Sequence, residues 1–204
     1  MASNAIRSGE AETRAILAAE RSRHPDIADA LDLHMALLAA RAGFADASSP
    51  AIRADEARAR IGRGEPLLRT QDLAPDWNAV ARLFKIICEI GARYRPDQAA
   101  AFARLPAEAV PFEQAARDYL TATDYASSRR IPWEHPVQYD GLAFFALNNA
   151  LHPFLAAAAR EGQSLVDDAS WYRGYCPICG GAPDMAALEK AGGARRLLCS
   201  RCDF

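Results

Sequence analysis

The chain has 204 residues, of which 50% are hydrophobic, so it is long and apolar enough to bury a core, which excludes a disordered tail and a disulfide-dependent miniprotein. Its 24 basic and 26 acidic residues give a net charge of −2, so no overall positive field attracts nucleic acid or an anionic membrane. The sequence holds no run of 18 apolar residues, and its first seven residues lack the pattern of a secretion signal. We therefore expect a soluble, cytoplasmic protein with no membrane partner.

In the first hundred residues, large apolar residues recur at helical spacing, which predicts a series of helices. A helix is predicted for residues 10–22, and Pro25 begins a stronger one that Gly43 ends. A short charged helix between Ser49 and Gly64 is expected to lie on the surface. The clearest helix begins after Pro75 and ends at residues 94–96, and one of its faces must be buried because apolar residues recur along it: Trp77, Val80, Phe84, Ile87 and Gly91.

Prolines divide the next part of the chain. Pro106 and Pro111 predict a short turn, and a helix is expected from Phe112 to Asp124. Residues 127–138 are interrupted by prolines and predict a loop. Residues 139–160 are apolar almost all round, which predicts a central helix of a bundle with a bend at Pro153.

Four of the five cysteines form two C-x-x-C motifs in the last 29 residues. A gap of two residues lets a tight turn point both sulfurs at one spot, and a hairpin between the motifs would complete a tetrahedron of thiolates. Gly180 can adopt the positive φ that such a turn requires, and Asp203 stands where the second turn would have glycine. The pattern predicts one metal site with four ligands: Cys176, Cys179, Cys199 and Cys202.

Other uses of paired cysteines fit the sequence less well. Disulfides need an oxidising compartment, and a thioredoxin-like redox pair needs a strand–helix setting and a single motif. Four protein sulfurs leave no open coordination position, so we expect a structural and not a catalytic site. Tetrahedral sulfur ligands suit zinc and iron equally, so the predicted cofactor is Zn or Fe, and iron would keep one-electron redox chemistry open.

The remaining reactive residues form no catalytic pattern. Cys88 lies on the apolar face of the helix that follows Pro75 and is interpreted as a small buried hydrophobe. The four histidines show neither a ligand pair nor a nucleophile–base spacing: His24, His34, His135 and His152. We therefore assign no catalytic and no cofactor-binding residue, and we expect that the protein is not an enzyme.

Basic residues lie between and inside the two cysteine motifs. Arg195, Arg196 and Arg201 are expected to offset the two net negative charges of a four-thiolate site, and a basic patch that faces a partner is the alternative. The change in composition around residues 162–175 places a domain boundary there. The sequence thus predicts a mainly α protein, with an all-helical domain at 1–170 and a four-cysteine metal-binding domain at 171–204.

The context of the cysteine motifs resembles a known family. After a long helical region, an aromatic residue and Tyr175 precede Cys-Pro-x-Cys-Gly-Gly-x-Pro, and a spacer then leads to Arg-Arg-Leu-Leu-Cys-Ser-x-Cys. This order resembles the FdhE family of formate dehydrogenase accessory proteins. The similarity extends to the segments Pro25–Phe44 and Leu67–Trp77, which fall in the same order as in that family.

The resemblance implies a cytoplasmic maturation factor that engages the catalytic subunit of a molybdenum- or tungsten-dependent respiratory formate dehydrogenase before export. It also implies rubredoxin-like four-cysteine sites that hold iron or zinc, the first of which maps onto Cys176, Cys179, Cys199 and Cys202. Family members continue into a second cysteine set, whereas this sequence stops at Phe204. We therefore expect either a fragment or a natural short form that lacks the second site.

Three functions follow from these observations. The leading hypothesis is a non-enzymatic accessory protein whose helical part binds an immature formate dehydrogenase catalytic subunit, while the metal site fixes the binding geometry or senses redox state. The loop Arg129–Trp133 holds residue types that are favoured at interfaces, but it is interpreted as a solvated connection, with a partner contact as the alternative. A zinc-ribbon nucleic-acid module is disfavoured, because the segment Cys176–Phe204 holds four basic and three acidic side chains, a net charge of +1. A rubredoxin-like electron carrier is the third. A monomer and a homodimer both stay open.

Overall fold

The computed structural model describes residues 2–44, 53–68, 73–108, 112–122, 141–167, 171–188 and 195–204. The predicted mainly helical fold is confirmed over these residues. They form α1 (Ala2–Arg23), α2 (Ala28–Ala42), α3 (Ala54–Gly62), α4 (Trp77–Tyr94), α5 (Ala99–Glu108), α6 (Phe112–Ala122), α7 (Gly141–Gly162), and the strands β1 (Met185–Leu188) and β2 (Arg195–Leu198).

The chain forms two compact units, and each is assembled from separate stretches of sequence. The first unit comprises Met1–Ala47, Asp76–Phe112 and Tyr139–Pro153. The second comprises Ser48–Pro75, Glu113–Gln138 and Phe154–Phe204, so it contains both α3 and the four paired cysteines. The predicted division of the chain at residue 170 stays a prediction.

Helix α4 supplies much of the core of the first unit, where it packs against α2 and α5. Its start is fixed by Asp76, whose Oδ1 accepts hydrogen bonds from the backbone N–H groups of Asn78 (3.0 Å) and Ala79 (3.1 Å). Burying a large apolar side chain stabilises the fold by about 1.5–3 kcal/mol. Of the five residues of the predicted face, Val80, Phe84, Ile87 and Gly91 are buried and Trp77 is half-buried, and Leu83, which was not predicted, is buried as well.

Helix α5 was not expected from the sequence. The turn predicted between Pro106 and Pro111 is wrong for residues 106–108, because α5 continues through Pro106 to Glu108, and residues 109–111 lie outside the described residues. The packing of α5 on α4 accounts for the difference: a β-carbon on Gly91 would lie 2.6 Å from the ring of Phe102, so α4 admits that ring only where it has no side chain. Phe102 also contacts Phe145 edge-on, with 6.0 Å between the ring centroids.

Helix α7 is apolar almost all round, as predicted, and contains Pro153. With the turn that follows, Gly141–Leu165 is long and apolar enough to span a membrane, but 72% of the most apolar window is buried, as in the core helix of a soluble protein. The side chain of Asn149 is buried in this helix, where its Nδ2 donates to the carbonyl of Phe145 (2.7 Å) and its Oδ1 accepts from Arg41.

The second unit corrects the expectation that the helix before Gly64 lies wholly on the surface. One face of α3 is buried through Ala57 and Arg60, whereas its other side chains are largely exposed. Strands β1 and β2 pair antiparallel, with Met185 opposite Leu198 and Leu188 opposite Arg195, which confirms the predicted hairpin between the cysteine motifs. The predicted loop at 127–138, with Arg129–Trp133 and His135, lies outside the described residues.

Candidate metal centre

The four predicted ligands come together in the second unit. The sulfurs of Cys176 and Cys202 are 3.6 Å apart, those of Cys179 and Cys199 are 3.5 Å apart, and all four lie within 4.8 Å of one another. A tetrahedral ion with metal–sulfur bonds of about 2.3 Å needs sulfurs about 3.8 Å apart. A disulfide would need about 2.05 Å, and all four cysteines are free thiols. The cluster therefore fits one metal ion.

The first cysteine turn has the backbone geometry predicted for it. The N–H of Gly180 donates to the carbonyl of Cys176 (3.0 Å), and the N–H of Cys176 donates to the carbonyl of Gly181 (2.8 Å). Gly180 has a φ of 71°, in the left-handed region that favours glycine. The positive φ predicted at this position is confirmed, and it turns the chain back immediately after Cys179.

The second cysteine turn achieves the same geometry without glycine. The N–H groups of Cys202 (3.3 Å) and Asp203 (2.8 Å) both donate to the carbonyl of Cys199. Asp203 has a φ of 59°, which aspartate tolerates better than most residues. The carboxylate of Asp184 accepts hydrogen bonds from the N–H (3.0 Å) and the hydroxyl of Ser200. These bonds tie the turn to the residue before β1.

Arg201 lies inside the second turn and is buried, with 8% of its surface exposed. Its side chain crosses Gly181, where a β-carbon would stand 2.6 Å from Cδ and 3.0 Å from Nη1. Burial would lower the pKa of Arg201, but negative charge at Cys179 opposes this and the pKa is raised, so the guanidinium stays charged. This agrees with the predicted role of Arg201 in offsetting thiolate charge.

Without a bound metal, the pKa values of three of the clustered thiols are shifted in different directions. Hydrogen bonds from Cys176, Cys199 and Cys202 hold the pKa of Cys179 well below its usual range, and the charge of Arg201 acts in the same direction. Hydrogen bonding with Cys179 raises the pKa of Cys176, and hydrogen bonding with Cys176 raises that of Cys202. Cys179 therefore favours the thiolate form more strongly than Cys176 and Cys202 do. A bound divalent cation would draw all four sulfurs into that form.

A segment that sequence reasoning did not assign to the site holds the first turn from outside. The N–H groups of Leu67 and Leu68 donate to the carbonyls of Pro177 and Ile178, each at 2.8 Å. Pro177 and Ile178 are the two residues between Cys176 and Cys179. The one sequence signal for this segment is an apolar Pro-Leu-Leu run after Gly64 in a charged region, and these three residues are buried.

The fifth cysteine and the histidines that the structure describes belong to the first unit. Cys88 is buried on α4, as predicted, and burial and the charge of Glu89 raise its pKa to about 12, so its thiol stays protonated at neutral pH. His24 is exposed and lies 3.4 Å from Glu20, while His152 is buried in α7. Among the described residues, the cysteine quartet is the cluster that could hold a metal ion.

The β1–β2 ribbon exposes large apolar side chains next to the metal cluster in sequence. Side chains of residues that face each other across an antiparallel pair, and of alternate residues along a strand, lie on the same face. Met185 and Leu198 therefore share one face, and Leu188 and Leu197 share the other. Their exposed fractions are large, at 62% for Met185, 37% for Leu198, 71% for Leu188 and 58% for Leu197.

Comparison with protein-family models, curated proteins and solved structures finds no match to this chain.

Proposed function

We propose that this chain is a non-enzymatic, cytoplasmic accessory protein that binds the catalytic subunit of a formate dehydrogenase and supports its activation. A rubredoxin-like or zinc-ribbon four-cysteine site holding zinc or iron stabilises the surface that makes this contact. The observation that carries the proposal is the convergence of four buried thiols: Cys176, Cys179, Cys199 and Cys202. The resemblance of the sequence around them to the FdhE family supplies the partner.

The chemistry of the site supports a role in binding. Four protein sulfurs fill a tetrahedral coordination sphere and leave no position for water or substrate. Such an ion contributes folding energy to the segment that holds it. The four-cysteine site would therefore fix the two cysteine turns and the ribbon between them, so that a partner meets one preformed surface.

The exposed ribbon offers a contact surface for the proposed partner. Clustered apolar side chains on a protein surface are typical of interaction sites. Leu188 and Leu197 project from the same face of the ribbon, and each has more than half of its surface exposed. Because the ribbon joins the two cysteine turns, metal binding would fix this face.

The decisive experiment is an anaerobic pull-down of the formate dehydrogenase catalytic subunit with the metal-loaded chain. We expect capture by the wild type, loss of capture by the double variant Leu188→Glu and Leu197→Glu, and retention by Ile16→Glu. The control changes an apolar side chain on α1, in the first unit, with 56% of its surface exposed, so it adds charge at a residue outside the ribbon. Failure of the wild-type chain to capture the subunit would overturn the proposal.

Metal analysis of the freshly purified protein tests the alternatives to this function. A red protein that bleaches on reduction would contain iron and would favour a rubredoxin-like electron carrier. A colourless protein with one zinc per chain would remove that alternative. A salt-dependent shift of DNA or RNA in a gel would favour a zinc-ribbon nucleic-acid module.

A further inference from the structure

We propose that metal occupancy of the four-cysteine site controls the docking of a distant segment, Gly64–Leu68, and through it the order of α3. We call this segment the strap. The inference rests on the four-cysteine site of the proposed function, but it concerns a conformational coupling within the chain. It needs no formate dehydrogenase to be tested.

The strap bonds to the part of the site whose geometry a metal would fix. The N–H groups of Leu67 and Leu68 reach the carbonyls of Pro177 and Ile178 at 2.8 Å each. Two ligand bonds flank these carbonyls in the sequence, one from Cys176 and one from Cys179. A rearrangement of this short turn therefore moves both acceptors of the strap at once.

Two side chains hold the strap against this turn. The hydroxyl of Tyr175, the residue before the first ligand, donates to the carbonyl of Gly64 at 2.6 Å. Nη1 of Arg60 in α3 donates to the carbonyl of Leu67 at 2.7 Å, and Glu56, one helical turn earlier, pairs with Nη2 of Arg60. A continuous set of hydrogen bonds thus runs from the metal-binding turn through the strap to α3.

Burial makes the docked strap dependent on these partners. Leu67 and Leu68 are 1% and 4% exposed, and Arg60 is 8% exposed. Buried backbone N–H groups without a partner are costly, so the strap cannot stay buried if Pro177 and Ile178 move away. It must follow the turn or leave the core of the second unit.

Thermodynamic linkage makes the coupling reciprocal. If metal binding favours the docked strap, contacts that dock the strap must favour metal binding by the same factor. Tyr175 is then a positioning residue for the metal, although it offers no ligand atom. Outer partners that orient metal ligands typically change metal affinity by about 10- to 100-fold when they are removed.

Through this coupling, metal binding would change the order of a helix with a charged outer face, α3. The outer face of α3 carries exposed charged side chains, including Asp55, Glu56 and Arg58. When the strap is docked, Arg60 holds this helix through its bond to Leu67. Metal loading would therefore present an ordered α3, and metal loss would loosen it.

Amide hydrogen exchange on the full chain tests the first half of the proposal. The chain is compared with one equivalent of Zn²⁺ and after removal of zinc by a chelator under reducing conditions. We expect the amides of Leu67 and Leu68 to lose protection when zinc is removed, while those of α4 in the first unit keep theirs. Equal protection of Leu67 and Leu68 in both states would overturn the proposal.

The metal affinity of variants tests the reciprocal effect, in which contacts that dock the strap strengthen metal binding. Co²⁺ binding, followed by its thiolate absorption, is measured in competition with a chelator for Tyr175→Phe and for the matched control Tyr172→Phe. Tyr172 has 86% of its surface exposed, so its variant loses the same hydroxyl without touching the strap. We expect about 10-fold weaker binding for Tyr175→Phe and no change for Tyr172→Phe.

A general loss of stability would look different from loss of coupling. A general loss of stability would lower the thermal unfolding midpoint of the metal-free Tyr175→Phe chain. Loss of the coupling would lower the unfolding midpoint of this variant mainly in its metal-bound state. Unchanged affinity in Tyr175→Phe would overturn the inference but leave the four-cysteine site intact. A wild-type chain that binds no Co²⁺ would overturn both this inference and the metal site of the proposed function.

Discussion

Arg201 lies against the backbone of Gly181, at a distance that leaves no room for a side chain there: a β-carbon on Gly181 would stand 2.6 Å from Cδ of Arg201. The close approach brings the one buried arginine of the described cysteine turns to the metal-binding cluster. The neighbouring thiolates keep its guanidinium charged. The geometry of the first turn and the charge balance of the site therefore depend on each other.

Replacing Gly181 by alanine should weaken metal binding, because the new methyl group displaces Arg201. We expect about 10-fold weaker Co²⁺ affinity for Gly181→Ala, and a similar loss for Arg201→Gln. Gly174→Ala is the matched control, since a β-carbon there meets nothing within 4 Å. Affinities are measured by chelator competition. Equal affinity of Gly181→Ala and Gly174→Ala would show that the position of Arg201 does not matter to the metal.

Replacing one ligand should abolish stable metal binding. We expect Cys176→Ser to purify with less than one metal ion per chain and to lose the Co²⁺–thiolate absorption. Cys88→Ser should keep both, because Cys88 lies in the first unit on α4. Most of the helical circular dichroism should remain in Cys176→Ser, since α1, α2, α4 and α5 belong to the first unit and the cysteine turns to the second. Loss of helical signal across the whole chain would contradict this independence.

Gly64 should tolerate substitution by alanine less well than Gly62, the last residue of α3. Gly64 has a φ of 73°, and a β-carbon there would lie 2.5 Å from Nε of Arg173. Gly64→Ala should lower the free energy of unfolding by about 1–2 kcal/mol, the cost of the left-handed conformation for a residue with a side chain. Gly62→Ala should be neutral or raise it by up to about 1 kcal/mol, since its β-carbon meets nothing within 4 Å. Urea denaturation of the two variants measures both effects.

Cys88 should make the protein less stable at high pH. Burial raises its pKa from 9.0 to about 12, so between these values the unfolded chain releases the thiol proton and the folded chain keeps it. The folded state then binds more protons, so this contribution to the free energy of unfolding is complete below pH 9 and falls as pH rises towards 12.

A pH series of urea denaturation on wild type and Cys88→Ala measures this contribution. The difference in slope isolates Cys88 from the other thiols. We expect the wild-type free energy of unfolding to fall more steeply than that of Cys88→Ala between about pH 9 and 11. Parallel curves in that range would contradict the raised pKa.

The sequence predicted the helices whose ends carry a chemical signal. Asp76 begins α4 because its carboxylate accepts two backbone N–H groups, and an acidic residue after proline and before an apolar stripe indicates such a cap. Helix α5 was missed because Pro106 was interpreted as a turn. The ring of Phe102 packs over Gly91, and this tertiary contact outweighs the local preference of the proline.

The convergence of the four cysteines was predictable for a similar reason. The spacing of two C-x-x-C motifs determines sulfur geometry locally, so Cys176 and Cys202 could be assigned without knowledge of the fold. The strap could not be assigned. Its bonds to Pro177 and Ile178 use backbone groups, which every residue possesses, and they join parts of the chain with no common pattern.

The hydrogen bond from Tyr175 to Gly64 closes a loop of 111 residues. Closing so long a loop is entropically costly, and the contact must wait until both ends exist. During synthesis, Leu67 and Leu68 therefore leave the ribosome long before the turn that will cover them. The nascent chain therefore carries both leucines without these hydrogen-bond acceptors while the next 110 residues are made.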